Sequence, residues 1–494
     1  MKILWLDINA SYSHSSLALP ALHSQTEACS RELFDWCVVS GTINREPSSS
    51  LNEVISHKPD VILSTLWLFN HNYTIRLLSR ISALLPNTKI ILGGPEFLGN
   101  NESFLYSNKF ITAVFRGEGE AQINNLLKAL CGQKKLTEID GICMLDNTSR
   151  YIDNGCAVVS SFNKLSPPEN SEFFRWDKAF IQIETSRGCF NRCSFCVSGN
   201  GRKIEKVDYS NLRQRLDTAK ARGIKEIRIL DRTFNSDYKY AIGLLDIFSE
   251  YYPAIKFHLE IHPAFINNHL KRRLETLPDG LLFLEAGIQS LREDVLEGCN
   301  RSGSCDKALE GLKYLCSLGK FKVHADLIIG LPHYYYKQLT EDIATLGLLG
   351  VDEIQVEKLK LLPGTKMRRD AVDLKIVYAD DPPYEVLQTS CMSYSDIFDA
   401  SVLSKILDNW YNDPVWHTSF REGIKRHSDF IETILLFCQK NLVLNSPLSI
   451  IKKGTFLNDF CKKYYPDISP FISEAWEKAG FSPHKGAGKF ARDT

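Results

Sequence analysis

Along residues 1–135, short β-branched apolar runs alternate with amphipathic stretches of helical period, a pattern that predicts a doubly wound parallel sheet. Strands are expected at Lys2–Leu6, Leu33–Val39, Val61–Ser64, Lys89–Gly94 and Ile111–Arg116, with crossover helices near Leu51–Ser56, Tyr73–Leu85 and Ala121–Leu130. In such sheets ligands lie beyond the carboxyl ends of the strands. The informative residues are then Asp7 to His14, Ser64-Thr65-Leu66, Gly93-Gly94-Pro95-Glu96 and Arg116-Gly117-Glu118-Gly119-Glu120. Residues 136–175 change texture to short β-like pieces around Asp146-Asn147-Thr148 and Asp153-Asn154-Gly155, which predicts a hairpin and linker.

From 176 to 369 the alternation resumes, with six strands expected at Phe180–Glu184, Glu226–Leu230, Lys256–Glu260, Leu281–Gln289, Lys322–Gly330 and Asp352–Leu359. Helical stretches such as Asn211–Ala221, Tyr240–Tyr251 and Asp306–Leu318 separate them, so a partial (β/α)6 barrel of TIM type is expected. Residues 370–494 are mainly helical in pattern, around Ser401–Tyr411, Phe430–Asn441 and Phe456–Tyr464, and end in a small basic tail at Lys485–Phe490. The expected class is therefore α/β: a Rossmann-like domain (1–135), a hairpin linker (136–175), a partial barrel (176–369) and a helical C-terminal domain (370–494).

Charge changes this picture little. Lys plus Arg and Asp plus Glu each number 59, so no bulk field favours nucleic acid or a membrane surface as the main partner. Neither a signal peptide nor an apolar run of about 18 residues is evident, and the expected location is the cytoplasm. Fourteen cysteines are present, of which one group is tightly clustered; most others read as buried thiols.

That group is Cys189-Phe190-Asn191-Arg192-Cys193-Ser194-Phe195-Cys196, directly after the first barrel strand. In a reduced compartment a C-x3-C-x2-C spacing is a metal-ligand set. Three thiolates from one loop suit three corners of a [4Fe–4S] cube and leave the fourth iron open to a small molecule. A structural zinc site with a fourth ligand from elsewhere is the bland alternative.

With Phe195 in the aromatic place, the loop resembles the radical S-adenosylmethionine (SAM) superfamily. The likeness continues along the barrel through Asp231-Arg232-Thr233-Phe234, Glu260, Gly287-Ile288-Gln289-Ser290, Asn300-Arg301 and Asp326-Leu327-Ile328-Ile329-Gly330-Leu331-Pro332, a series similar to that of oxygen-independent coproporphyrinogen oxidase. The resemblance implies that Cys189, Cys193 and Cys196 hold the cluster. It implies that Glu260 accepts from the methionine amino group, Arg301 pairs with its carboxylate, and Gln289 and Asp326 hold the ribose hydroxyls, with Phe195 and Thr233 also at the SAM site. A guanidinium grips a carboxylate through two parallel bonds, so the residue types suit an amino-acid end. Asp231-Arg232-Thr233 replaces the usual Gly-Gly-Glu amine site.

The N-terminal strand ends resemble the cobalamin-binding domain that precedes many such enzymes, in which Ser-x-Leu and Gly-Gly line the nucleotide groove. Asn9, Ser64, Leu66, Gly93, Gly94 and Glu118 are the cobalamin positions this implies. The family's Asp-x-His-x-x-Gly is absent; the chain has Asp7-Ile8-Asn9, with His14 out of register, so no histidine ligand to cobalt is expected from that motif. A Rossmann-like domain with tight turns and no cofactor is the alternative. Three further histidines, His262, His324 and His333, read first as structural groups; Tyr384 and Tyr394 read first as core aromatics, though each is a candidate for the substrate pocket.

The implied function is a cobalamin-dependent radical SAM enzyme that methylates an unactivated carbon or phosphorus of a small molecule, fed by a one-electron donor such as flavodoxin or ferredoxin. One alternative is a radical cyclase or rearrangement enzyme using cobalamin otherwise or not at all. Another is a non-catalytic cobalamin or iron–sulfur sensor.

Overall fold

The structure is a computed structural model that describes residues 1–12, 15–27, 32–199, 201–441, 444 and 447–480; His14, Cys29 and the Lys485–Phe490 tail lie outside the described residues. The chain divides into two compact units. The first comprises Met1–Leu230, Lys360–Asp370 and Ala379–Glu385; the second comprises Asp231–Leu359, Ala371–Tyr378 and Val386–Thr494.

In the first unit, β1 (Lys2–Asn9), β2 (Asp35–Thr42), β3 (Val61–Thr65), β4 (Lys89–Gly93) and β5 (Ala113–Phe115) form the parallel part of a sheet, continued by β6 (Ile142–Leu145) and β7 (Tyr151–Asp153). The spatial order is β2-β1-β3-β4-β5-β6-β7. Successive residues of each strand face opposite layers, and both layers are apolar. Leu4, Leu6, Ile62, Ile90 and Leu92 pack on one face, and Ile3, Trp5, Val61, Leu63 and Ile91 on the other. Burial on both sides is why these strands read as continuous hydrophobic runs. The hairpin expected in 136–175 is not free-standing: β6 pairs antiparallel with β5 and β7 with β6, so the sheet extends through it.

A chain order of 2-1-3-4-5 puts the topological switch point between β1 and β3, where doubly wound sheets open a crevice for ligand. The residues at that opening are Asn9, at the end of β1, and Thr65-Leu66-Trp67, where β3 ends. The first unit also contains β8 (Ile181–Ile183), the short antiparallel pair β9 (Ser186–Arg187) and β10 (Glu205–Lys206), and β11 (Glu226–Ile229), which pairs in parallel with β8.

The second unit carries β12 (Lys256–Ile261), β13 (Leu282–Gln289), β14 (Lys322–Ile329) and β15 (Glu353–Lys358), all parallel. The first unit's β8 and β11 and the second unit's β12 to β15 match the six strands expected from sequence, each within a few residues of its expected position. The intervening helices have ordinary stops and starts. Ser304 caps Cys305–Leu318, and Gly319 ends it at φ 62° in the left-handed region.

Helices Tyr394–Ile406, His417–Arg426, Phe430–Asn441, Ile450–Tyr464 and Ser469–Lys478 make the C-terminal region mainly helical. Its core is aromatic, built on Phe420, Phe430, Phe437, Phe456, Phe460 and Tyr465. The segment Leu407–Asn412, between the first two of these helices, lies against β15. Asn412 receives the Ile354 N–H and donates to its carbonyl, at 2.8 and 2.9 Å, and the Tyr411 hydroxyl donates to Val351 O at 2.6 Å. Polar groups along that strand are thereby paired with side chains instead of a further strand. No described helix is long and apolar enough to cross a membrane.

Candidate active site

The cysteine loop leaves β8 through β9 and is folded tightly upon itself. Cys196 N donates to Cys193 O, Gly199 N donates to Cys196 O, and Ser198 N points at Cys196 Sγ, at 3.1, 3.0 and 3.4 Å. A side chain on Gly199 would put its Cβ 2.1 Å from Cys193 O, so only glycine fits there. Cys189 and Cys193 are 8% and 5% exposed, Cys196 is half-buried, and no described cysteine is in a disulfide. The expectation of buried thiols holds for Cys143, Cys299, Cys305, Cys438 and Cys461, whereas Cys131 and Cys156 are exposed.

Among the described residues, no three His, Cys, Asp or Glu side chains converge on one ion position, as a mononuclear zinc site needs. Three thiols that each address a different iron of a cube have no such requirement. An N–H aimed at a cysteine sulfur is also a common tuning contact in iron–sulfur sites. The donor set therefore fits the cluster.

Sequence reasoning missed the bracing around this loop. Arg187 bonds bidentately to Glu184, lies 3.0 Å from Glu120 and 3.6 Å from Glu118, and stacks 4.6 Å over Phe162. Its guanidinium is half-buried, and the carboxylates around it push its pKa upward against desolvation. Arg202 binds Glu118 at 2.6 Å and Val159 O at 2.9 Å. Glu118 uses its second oxygen on Val159 N at 2.6 Å. Both oxygens of this expected cobalamin residue are thus engaged, and its geometry is that of a brace between the turn after β5, residue 159 and Arg202. Charged residues flanking the cysteines were the available signal.

At the switch point, Asn9 donates to Asp7 at 2.8 Å, and burial raises the Asp7 pKa. Ser64 is buried and donates to Leu6 O at 2.7 Å, and Leu66 is fully buried; both build the floor of the crevice. Gly93 has open space beside it, since a Cβ there would meet only Phe115 at 3.9 Å. Gly94 is glycine for another reason: at φ 106° its Cβ would lie 2.5 Å from Leu66 O. Trp67 and Phe69, missed from sequence, are 42% and 38% exposed just beyond β3 and stack at 6.3 Å. Exposed flat aromatics at a strand's carboxyl end suit a flat ligand. An open glycine flank and aromatic walls fit a macrocycle such as the corrin ring.

Tyr384 is buried at φ 61° and donates to the buried Glu96 at 2.7 Å, with Arg368 stacked 4.4 Å over its ring. Tyr394 is instead 62% exposed at a helix start, contrary to the core reading.

Two of the expected SAM residues of the second unit, Glu260 and Asp326, lie among neighbouring polar strand positions. Register pairs Glu260 with Glu285, Glu285 with His324, and Gly287 with Asp326. A bulge between Gly287 and Gln289 leaves Gln289 at φ 71°. Arg301 donates to Gly287 O, and a Cβ on Gly287 would meet Gln289 Nε2 at 2.8 Å and Arg301 Nη2 at 3.3 Å. Glycine at this position therefore brings Gln289 and Arg301 together. The turn behind Gln289 is anchored by buried Asp342, which receives Leu291 N at 2.9 Å, Tyr334 OH at 2.6 Å and Arg292 Nε at 2.9 Å. Asp342 is a positioning residue that the linear sequence does not reveal.

Asp326 lies 3.2 Å from His324, burial raises its pKa, and Arg301 partly opposes that rise. Thr233 is half-buried and donates to Arg232 O at 2.6 Å. His262 is buried, holds Ser302 O at 3.0 Å, and is pushed down to about 3 by burial and by Arg301, so it stays neutral. His333 is exposed.

Burial pushes Glu260 up to about 7, with Glu285 and Asp326 adding to the rise and Arg232 opposing it. An ammonium ligand needs the carboxylate form, which without ligand predominates only above that pKa. SAM affinity is therefore expected to fall as pH drops below about 7, by up to roughly tenfold per unit. Equilibrium dialysis from pH 5.5 to 8.5 checks this, and Glu260→Gln should flatten the profile.

Residues 183–346 match the family described as the Radical SAM superfamily, a span that holds the cysteine loop and Glu260, Gln289, Arg301 and Asp326. Residues 183–346 are a radical SAM domain. Residues 373–474 match a second family, DUF4080, described as a protein of unknown function. An uncharacterised methyltransferase of Pyrococcus horikoshii is 24% identical over 362 residues, 69% of this chain and 76% of that protein. TokK of Streptomyces tokunonensis, a cobalamin-dependent radical SAM methyltransferase, is 21% identical over 63% of this chain and 48% of its own length. Likeness of fold to a solved structure reaches beyond that domain. The structure of OxsB, a cobalamin-dependent SAM radical enzyme with aqua-cobalamin and SAM bound, superposes with a TM-score of 0.65 at 16% identity, covering 99% of this chain and 80% of that one.

Proposed function

We propose that this radical SAM enzyme holds a [4Fe–4S] cluster, SAM and cobalamin, and methylates an unactivated carbon or phosphorus of a small molecule. The observation that carries the reading is the pairing of two sites in one chain: a three-thiol loop after a barrel strand, and an aromatic-walled switch-point crevice in a 2-1-3-4-5 sheet. The naming of TokK as a cobalamin-dependent methyltransferase supports the methyl-transfer outcome. When bound, the cluster and SAM supply a reductively generated carbon radical, and cobalamin supplies a methyl carrier, chemistry beyond side chains alone.

The chain's own residues bind and orient. Arg301 takes the SAM carboxylate and Glu260 its ammonium, while Gln289 and Asp326 receive the ribose hydroxyls. Cys189, Cys193 and Cys196 hold three irons, and the Arg187–Glu184–Glu120 knot keeps their loop in place. Asn9, Gly93 and Trp67 would border the corrin.

Incubating anaerobically reconstituted, reduced protein with hydroxocobalamin and SAM tests the reading. Both 5′-deoxyadenosine and S-adenosylhomocysteine are expected. 5′-Deoxyadenosine alone would favour a rearrangement enzyme, and neither product would favour a sensor.

A further inference from the structure

The two segments that meet at the cysteine loop are rich in cations, although the chain as a whole is balanced. Residues 187–206 and 360–370 together carry nine Lys and Arg against two Asp and Glu. Local contacts bring both segments to the loop. A Cβ on Gly188 would lie 2.7 Å from Lys203 O, and one on Gly201 would lie 2.6 Å from Arg192 Nε. Met367 N, in the helix Lys366–Arg369, donates to Ser194 O at 2.8 Å.

Two kinds of cation occupy this surface. Arg187 and Arg202 are held inward by Glu118, Glu184 and Glu205. Arg192, Lys203, Lys366 and Arg369 are exposed, Lys366 with Asp370 as its neighbour. Among them, between two of the cysteines, Phe190 leaves 37% of its surface in solvent. An aromatic anchor within a charged rim is the usual anatomy of a protein-binding patch. A rim of one sign also steers a partner of the opposite sign.

We propose that this collar, centred on Phe190 and rimmed by Arg192, Lys203, Lys366 and Arg369, docks a small, strongly acidic one-electron carrier protein that reduces the cluster. The proposal rests on the cluster reading above. The reaction needs an electron from outside the chain, and two of the three thiols are more than nine-tenths buried. The carrier must then come to the surface of this loop, and its acidic character follows from the cations there.

The test compares wild type with the triple variant Lys203→Glu, Lys366→Glu, Arg369→Glu, none of which is a cluster ligand. Cluster reduction is followed by absorbance and electron paramagnetic resonance, using either reduced flavodoxin or a small neutral reductant, photoreduced deazaflavin. The variant is expected to be reduced by flavodoxin at least about tenfold more slowly, with unchanged deazaflavin rate and iron content. Raising salt from about 0.05 to 0.5 M should slow flavodoxin reduction of wild type steeply and of the variant little. Equal flavodoxin rates in both proteins, or a salt-independent rate in wild type, would overturn the docking surface while leaving the cluster intact. Salt-sensitive capture of RNA with no binding of flavodoxin would also overturn it. Should the variant lose iron, the wild-type salt series decides alone. Failure of wild type to assemble any cluster would instead overturn the cofactor reading on which the proposal rests.

Discussion

Replacing Cys189, Cys193 and Cys196 together by alanine is expected to lower bound iron from about four per chain to near zero and to abolish reductive SAM cleavage. The thiols sit on a loop whose backbone is closed by its own hydrogen bonds and by the Arg187 knot. The apolar layers of the first unit are built from other residues, such as Leu4, Leu63 and Ile91. Secondary structure by circular dichroism should therefore survive the substitution, separating loss of ligand from loss of fold. Retention of iron by the variant would sink the cluster assignment.

Arg301→Ala is expected to weaken SAM binding by roughly 2–5 kcal/mol, about 30-fold to several thousand-fold, because it leaves a carboxylate in the barrel without its cation. Arg301→Lys should recover little of this, since an ammonium cannot reproduce the planar fork. Arg301 also donates to Gly287 O beside the bulge that turns Gln289 into its left-handed conformation. Part of the loss should then appear as misplacement of Gln289, and Gln289→Ala combined with Arg301→Ala should cost less than the sum of the two. Isothermal titration with SAM on iron-loaded protein measures both effects. Unchanged affinity in Arg301→Ala would remove Arg301 from the site.

Much of this arrangement is legible in the linear sequence because its signals are local. Three cysteines within eight residues need no tertiary information, and strands buried on both faces announce themselves as apolar runs. Glu260, Gln289 and Asp326 stand at or near strand ends, where barrel chemistry concentrates. What the sequence hides depends on distant pairings. Tyr384 meets Glu96 across 288 positions, and nothing near either residue signals the other. Residues 360–370 return to the first unit, although the barrel pattern runs on through them. Glu118 looks like a ligand-facing residue after a strand until Arg202 and Val159 N occupy its carboxylate. Gly94 illustrates the same limit. A glycine kept for contact with Leu66 O and one kept open for a ligand look identical in sequence.

The central claim, that one chain carries both an iron–sulfur cluster and cobalamin, is tested most directly by anaerobic purification from cells supplied with cobalamin, followed by iron, sulfide and corrinoid quantification. About four irons, four sulfides and one corrinoid per chain are predicted. Iron and sulfide without corrinoid, or zinc in place of iron, would contradict it.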